Sequence, residues 1–277
     1  LSMIRSVTKW STSVKTVAAL RPTVERAFEI AKRGVPGPVF IEIPVDLLYQ
    51  ESLVREWYLK ESGGVSIEAR ALQLYLKGHL YRQFHLPHLG LDLPDLRPSA
   101  RLPADAMRDI KDVAELLRKA ERPALVVGSQ ALANCSDPGP LAAAIESLGL
   151  PVWLGGTARG LLGRESSVQF RHKRSASLKK ADLVIVCGFP FDFRLGYGRS
   201  ISSRARVVAA NLCSDALRMN RKPEIPVRMH PGRFLELLAE EAAPGDWDDW
   251  LGEATAELRG LQPEEVRDFA LPLSEQG

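Results

Sequence analysis

Residues 183–188 read Leu183-Val-Ile-Val-Cys187-Gly188, five consecutive apolar residues closed by a glycine. A run of this length without polar alternation is typical of a strand buried on both faces of a parallel sheet. Similar short apolar runs lie at 123–127, 151–154, 206–210 and 226–229. The chain from 123 to 229 therefore predicts several fully buried strands.

Helical patterns separate these runs. Apolar residues recur at intervals of three and four in segments that begin near a cap or a proline and end near a glycine or basic residues. The predicted helices are Asp105 or Asp109 (as alternative caps) to Ala120, Pro140 to Leu148, Ser175 to Lys180, and Arg233 to Glu241. Strands alternating with helices predict an α/β fold with a doubly wound, mostly parallel sheet, which is Rossmann-like.

The pattern divides the chain into four parts. Residues 1–50 contain a predicted helix from Thr23 to Arg33, with Pro22 at its start and Gly34 as its C-terminal cap, and a strand from Val39 to Ile43. This is part of a preceding α/β domain, because one helix and one strand bury no core by themselves. Residues 51–104 read as a linker with one helix (67–84), 105–245 as the central domain, and 246–277 as a helix and a second linker.

Composition excludes several classes of function. The 37 basic and 34 acidic residues leave a net charge of +3, which is too small to indicate a nucleic-acid partner or membrane contact from this segment. The three cysteines have no zinc-like spacing, and His79, His85 and His88 are interpreted as surface or linker residues. No catalytic or metal-binding residue is predicted.

Glycines follow three of the predicted strands, at the edge where open α/β sheets bind ligands. Two interpretations stay open: the turns cradle a nucleotide through backbone N–H groups, or they are ordinary strand-to-helix turns. The candidate cofactor-binding residues are Gly128, Ser129, Gln130, Gly155, Gly156, Arg159, Gly160, Asp192, Arg194 and Asn211.

Five segments carry a resemblance to a known family. Residues 34–46 have the pattern Gly-x-Pro-Gly-Pro-Val-x-x-x-x-Pro-x-Asp, and the others are 128–132, 155–164, 174–182 and 192–199, of which 155–164 is quite specific. Together they resemble the thiamine diphosphate-dependent enzymes, in particular the acetolactate synthase-like and 2-hydroxyacyl-CoA lyase subgroup of animals. The resemblance covers nearly the whole chain and is least clear from 51 to 105.

This resemblance implies a thiamine diphosphate- and Mg²⁺-dependent carbon–carbon lyase acting on a 2-hydroxyacyl-CoA or a 2-oxo acid, with a role in fatty acid α-oxidation. It also implies a homo-oligomer, held at the endoplasmic reticulum membrane by an anchor upstream of this soluble segment. Residues 1–50 correspond to the end of the pyrimidine-binding domain, and the diphosphate-binding domain follows 277. The activating glutamate is expected upstream and the Gly-Asp-Gly…Asn motif downstream, so the segment is expected to be inactive alone.

Some relatives bind FAD or ADP in the central domain, and others bind nothing there. The strand that ends at Asn211 departs from the acidic pattern of the nucleotide-binding relatives. This departure favours a vestigial nucleotide fold that braces the other two domains. The alternatives are a stand-alone module that binds FAD or ADP, and a structural domain that mediates oligomerisation.

Overall fold

The computed structural model describes residues 1–61, 66–87, 106–243 and 245–259. The chain divides into two compact units, 1–99 and 100–277. Among the described helices, none has the length and apolar character needed to cross a bilayer.

The first unit contains a small parallel sheet with helices. Its elements are α1 (Ser2–Arg5), β1 (Trp10–Ser13), α2 (Val17–Lys32), β2 (Val39–Glu42), α3 (Glu51–Glu61) and α4 (Ile67–His85). Strand β1 pairs in parallel with β2, so that Trp10 lies opposite Val39 and Ser13 opposite Glu42. Buried Val14, Ala19 and Leu47 form its small apolar cluster.

One sequence prediction for the first unit was wrong in detail, and two elements were missed. Helix α2 begins at Val17, so Pro22 lies inside it. Burial of Ala19 and Ala27 along one side of α2 accounts for a helix that continues through a residue unable to donate its N–H. Strand β1 and helix α3 were missed, because β1 is short and polar and α3 carries a weak apolar pattern. Gly34 has φ +61°, as its predicted role after the helix requires.

The second unit is built on one six-stranded sheet. Its strands are β3 (Pro123–Val127), β4 (Val152–Leu154), β5 (Gln169–Phe170), β6 (Leu183–Cys187), β7 (Arg206–Ala210) and β8 (Ile225–Val227). All five strand pairs are parallel, in the spatial order β5-β4-β3-β6-β7-β8. The chain order reverses between β3 and β6, which confirms the predicted doubly wound, Rossmann-like sheet.

Helices cover both faces of this sheet. They are α5 (Ala106–Lys119), α6 (Gly139–Ser147), α7 (Arg174–Lys180), α8 (Ser214–Arg218), α9 (Pro231–Glu241) and α10 (Asp248–Arg259). Alternate residues of each strand enter two separate apolar clusters: Leu125 and Ile185 pack with α5, α6 and α9, whereas Val126 and Val186 pack with α7 and α8. Every residue of β3 and β6 is buried, as expected for central parallel strands.

Helix α10 closes the amino ends of the central strands. The indole N–H of Trp247 donates to the carbonyl of Ala120 (3.0 Å), and that of Trp250 to the carbonyl of Pro123 (2.8 Å). Glu253 forms ion pairs with Lys180 and Arg122 at 2.9 and 3.4 Å. The described part of the helix predicted as the start of a linker therefore packs on the central sheet.

Other differences in the second unit are small. Strand β5 and helix α8 were missed because they have only two and five residues. Asp109 does not cap α5, because it lies within the first turn, and Asp105 lies outside the described residues. Strand β8 begins one residue earlier and ends two residues earlier than predicted.

Candidate functional site

The glycine corners lie along one rim of the sheet. Backbone bonds link them in a series: Gly155 N–H donates to Val127, Gly128 N–H to Cys187, and Gly188 N–H to Ala210, each at 2.8 Å. Each corner is therefore held by the strand beside it. The carboxyl ends of β4, β3, β6 and β7 form a continuous edge, which is where open parallel sheets bind ligands.

Close packing explains why these corners require glycine. A Cβ on Gly128 would collide with the carbonyl oxygen of Gly188, and one on Gly155 would collide with the ring of Phe189. Gly188 itself has φ +66°, and its Cβ would lie 2.8 Å from the backbone nitrogen of Ala131. The ring of Phe189, which is buried, therefore fills the space between the corners at the point where the strand order reverses.

Three of the predicted ligand contacts hold the loops of this edge together. Ser129 Oγ accepts a hydrogen bond from the N–H of Thr157 (3.1 Å), and Gln130 Oε1 accepts one from the N–H of Leu212 (2.7 Å). Asn211 is buried, and its Oδ1 accepts from the N–H of Cys213 (2.9 Å). The oxygens of Ser129 and Gln130 thus connect the loop after β3 with the loops after β4 and β7, whereas that of Asn211 pairs within the loop after β7.

An open cleft of about 850 Å³ lies beside this packed region, at the ends of β4 and β5. Four predicted residues line it: Gly155, Gly156, Arg159 and Arg194. The other six do not, and those are Gly128, Ser129, Gln130, Gly160, Asp192 and Asn211. The open space therefore lies toward β5, and not at the point between β3 and β6 where the strand order reverses.

The loop between β5 and α7, together with the first residue of α7, brings four further basic residues to this cleft. Arg171, His172, Lys173 and Arg174 line it together with Arg159 and Arg194, and no Asp or Glu belongs to the described lining. Trp153 positions the loop, because its indole N–H donates to the carbonyl of His172 (3.0 Å). Four consecutive basic residues are visible in the sequence, but only the fold places them at the same edge as the glycine corners.

Asp192 holds Arg194 in a fixed position. Its carboxylate accepts from the Arg194 guanidinium, with Oδ2 2.6 Å from Nη2, and this contact lowers the pKa of Asp192 below its ordinary value. The same guanidinium lies over the ring of Phe189, 4.7 Å from its centre. Asp192 therefore acts on the cleft through Arg194.

Arg174 lies in a region of excess positive charge. Its guanidinium donates to the carbonyl of Arg194 and lies 5.8 Å from the centre of the Phe189 ring. Burial lowers the pKa of Arg174, and the positive charges of Arg159 and Arg194 lower it further. Because an arginine stays protonated in proteins, this site would favour a multiply charged anion.

His230 and Asp46 have structural roles. His230 Nε2–H donates to the carbonyl of Ala133 (2.7 Å), which leaves Nδ1 to accept from the N–H of Arg233 at the start of α9. Asp46 accepts from Tyr58 and Gln83, and so connects the turn after β2 with α3 and α4. The described part of the chain holds no cluster of three potential metal ligands, and His88 lies outside it.

Residues 110–238 match the family model described as the central domain of thiamine pyrophosphate enzymes. Residues 110–238 therefore have the sequence of a central domain of this kind. The matched segment contains all six strands of the sheet and the whole lining of the basic cleft. The resemblance inferred from the sequence motifs is confirmed.

Curated relatives extend this similarity beyond the central domain. The chain is 34% identical over 284 residues to 2-hydroxyacyl-CoA lyase 2 of Homo sapiens, and the match covers 99% of this chain and 44% of that protein. It is 40% identical over 223 residues to 2-hydroxyacyl-CoA lyase 2 of Caenorhabditis elegans, covering 79% and 34%. It is 30% identical to a probable acetolactate synthase of Mycobacterium bovis, covering 62% and 31%. The chain thus spans less than half the length of these relatives.

The described residues of the central domain do not fit thiamine diphosphate with its metal. The cleft offers cations but none of the acidic side chains that a divalent ion would need. Gly-Asp occurs in the sequence only at Gly245-Asp246, where Trp247 follows. No step of a reaction is therefore assigned to residues of this domain.

Proposed function

We propose that the protein to which this chain belongs is a thiamine diphosphate-dependent carbon–carbon lyase that cleaves 2-hydroxyacyl-CoA. The observation that carries the proposal is 34% identity across 99% of this chain to a protein named for that activity. When bound, thiamine diphosphate stabilises the carbanion left by cleavage of a bond beside a carbonyl carbon. The acetolactate synthase relative makes a 2-oxo acid the competing substrate class.

Within that enzyme, the central domain would brace the parts that hold the cofactor. Its central strands are fully buried and its loops are hydrogen-bonded to one another, and its described residues hold no cluster of three potential metal ligands. The Mg²⁺ requirement, the homo-oligomer, the location at the endoplasmic reticulum membrane and the role in fatty acid α-oxidation belong to this same proposal.

The complete coding sequence provides the test. The purified product is assayed for cleavage of a 2-hydroxyacyl-CoA, of the same 2-hydroxy acid without CoA, and for condensation of pyruvate, each with and without thiamine diphosphate and Mg²⁺. Cleavage that requires the CoA ester and both additions supports the proposal. Pyruvate condensation alone would reassign the enzyme to acetolactate synthesis, and activity unaffected by thiamine diphosphate would reject both.

We also propose that the basic cleft holds the diphosphate of a nucleotide such as ADP or FAD. Five Arg and Lys side chains line it without an acidic neighbour in the lining, and Gly155 and Gly156 line it beside them. Asn211 is buried, and its Oδ1 already accepts a hydrogen bond from the N–H of Cys213, so it does not hold ribose hydroxyls as an acidic residue at this strand end would. The proposed site therefore binds the nucleotide through its phosphates. This placement includes only four of the ten residues proposed from the sequence, namely Gly155, Gly156, Arg159 and Arg194.

Thermal unfolding separates this proposal from a purely bracing role. ADP, FAD, CoA and pyrophosphate are each added to the 277-residue chain, and a ligand at 100 times its Kd adds about 2.7 kcal/mol of stability. Arg159→Gln should abolish the shift, whereas Arg228→Gln, which removes an exposed arginine outside the cleft, should keep it. If none of the four compounds stabilises the chain against thermal unfolding, the nucleotide-binding proposal is rejected and the purely bracing role remains.

A further inference from the structure

The ring of Phe189 separates the basic cleft from the point where the strand order reverses. Phe189 and Gly155 belong to the described lining of the cleft, whereas Gly128 does not. The ring nevertheless lies against both glycines: its Cδ2 is 2.6 Å from the position of a Cβ on Gly128, and its Cε2 would clash with a Cβ on Gly155. Phe189 is therefore the wall between the open space beside β4 and the corner that follows β3.

The walled-off corner lies at the part of the sheet where a dinucleotide would bind. In doubly wound sheets a dinucleotide lies across the crevice at the reversal of strand order, and each half of the sheet holds one mononucleotide. In this chain the reversal lies between β3 and β6, which are followed by Gly128 and Gly188. The ring of Phe189 is only 6% exposed and lies between these two turns. The crevice is thus filled by the protein itself on the side that faces away from the cleft.

Two arginines hold this ring in place. The guanidinium carbons of Arg194 and Arg174 lie 4.7 and 5.8 Å from the ring centre. Asp192 fixes Arg194, whose Nε lies 3.0 Å from Oδ2, and the Arg174 guanidinium donates to the carbonyl of Arg194. Because both arginines also line the cleft, an anion bound by them would lie beside the ring and leave it in place.

We propose that Phe189 determines which nucleotide the cleft accepts: its ring bars the crevice to the second half of a dinucleotide, so that the cleft holds ADP and not FAD. This inference rests on the proposed nucleotide site and narrows its ligand. The open volume of about 850 Å³ lies within the roughly 300–1,000 Å³ of pockets that hold one drug-sized ligand. Replacing the ring by a methyl group should join the cleft to the Gly128 corner and admit the flavin half.

Calorimetric titration of the 277-residue chain with ADP and with FAD tests the proposal, and the visible spectrum of bound FAD shows whether the flavin ring has left water. Wild type should bind FAD no more tightly than ADP and leave the flavin spectrum as it is in water. Phe189→Ala should bind FAD at least about tenfold more tightly than wild type does, whereas its affinity for ADP should stay within about threefold. The flavin spectrum should change only in this variant.

Phe191→Ala is the matched control. Phe191 is fully buried in the same apolar cluster as Phe189, but it lies outside the described lining of the cleft. Both substitutions remove a phenyl ring from that cluster, so a general loosening of the domain would affect FAD binding in both variants. If Phe189→Ala fails to fold, as judged by circular dichroism, Phe189→Leu replaces it, because leucine keeps an apolar side chain beside the glycines and lacks the ring.

Three results would overturn the proposal. They are wild type binding FAD at least about tenfold more tightly than ADP, a folded Phe189 variant without any gain for FAD, and an equal gain in Phe191→Ala. Failure of the proposed nucleotide site gives a different result, because wild type then binds neither ADP nor FAD. In that case a gain of FAD binding confined to the Phe189 variant still supports the ring as the barrier, and the absence of such a gain rejects both proposals.

Discussion

The two edges of the central sheet differ in what fills them. At the amino edge, two buried tryptophans close the strands, Trp247 directly before α10 and Trp250 within it, and both indole N–H groups are paired with carbonyls. At the carboxyl edge, glycine corners keep side chains away, and arginines surround open space. The amino edge of the sheet is therefore closed and apolar, and it stabilises the domain. The carboxyl edge is open and positively charged, and it is available to a ligand. Substitutions at the two edges should have correspondingly different consequences.

The largest effect is expected at the amino edge. Trp250→Ala removes a ring that is 96% buried together with its hydrogen bond to the Pro123 carbonyl, so it should lower the free energy of unfolding by about 3–5 kcal/mol. Trp250→Phe retains most of the packing and should cost about 1–3 kcal/mol for the lost hydrogen bond. Urea denaturation measures both. Equal losses for the two variants would show that the hydrogen bond, and not the packing, seals this edge.

A smaller effect is expected at the carboxyl edge. Gly128→Ala forces a methyl group against the Gly188 carbonyl and the Phe189 ring, which should cost about 1–3 kcal/mol. Gly160→Ala is the matched control, because a Cβ there meets nothing within 4 Å, and its effect should stay within about 0.5 kcal/mol. If the two substitutions have the same effect in urea denaturation, the corners are not closely packed.

The smallest effect concerns the ion pair beside the cleft. Asp192→Asn should cost less than about 1 kcal/mol near pH 7, because the Arg194 side chain is about half exposed. Arg194 lowers the folded-state pKa of Asp192, so the pair stabilises the protein above the ordinary value of 3.8. That contribution is lost as pH falls through the lower folded value. The urea midpoints of variant and wild type should converge in acid, and a gap that widens there would contradict this assignment.

Periodicity predicted the central strands well because burial on both faces leaves a strong local signal. Strands β3, β6 and β7 have the predicted bounds, and each is a nearly continuous run of apolar residues. Strand β1, with the sequence Trp-Ser-Thr-Ser, carries no such run and exists through its pairing with β2. Helix α2 passes through Pro22, where local preference and packing disagree and packing prevails.

The candidate site also has some features that were predictable from the sequence and others that were not. The glycine corners were predictable, because the sequence shows where strands end. The role of Phe189 was not, since nothing local indicates that its ring covers both Gly128 and Gly155. Nor did the run Arg171–Arg174 indicate a cleft until β5 placed it next to β4.

The chain alone thus determined the order of strands and helices, the buried character of the sheet and the family, because these depend on residues close together in sequence. Tertiary structure decided which edge is open, which polar side chains are occupied by the protein itself, and where positive charge accumulates. These properties depend on distances between residues far apart in the chain, and such distances exist only after the strands have paired.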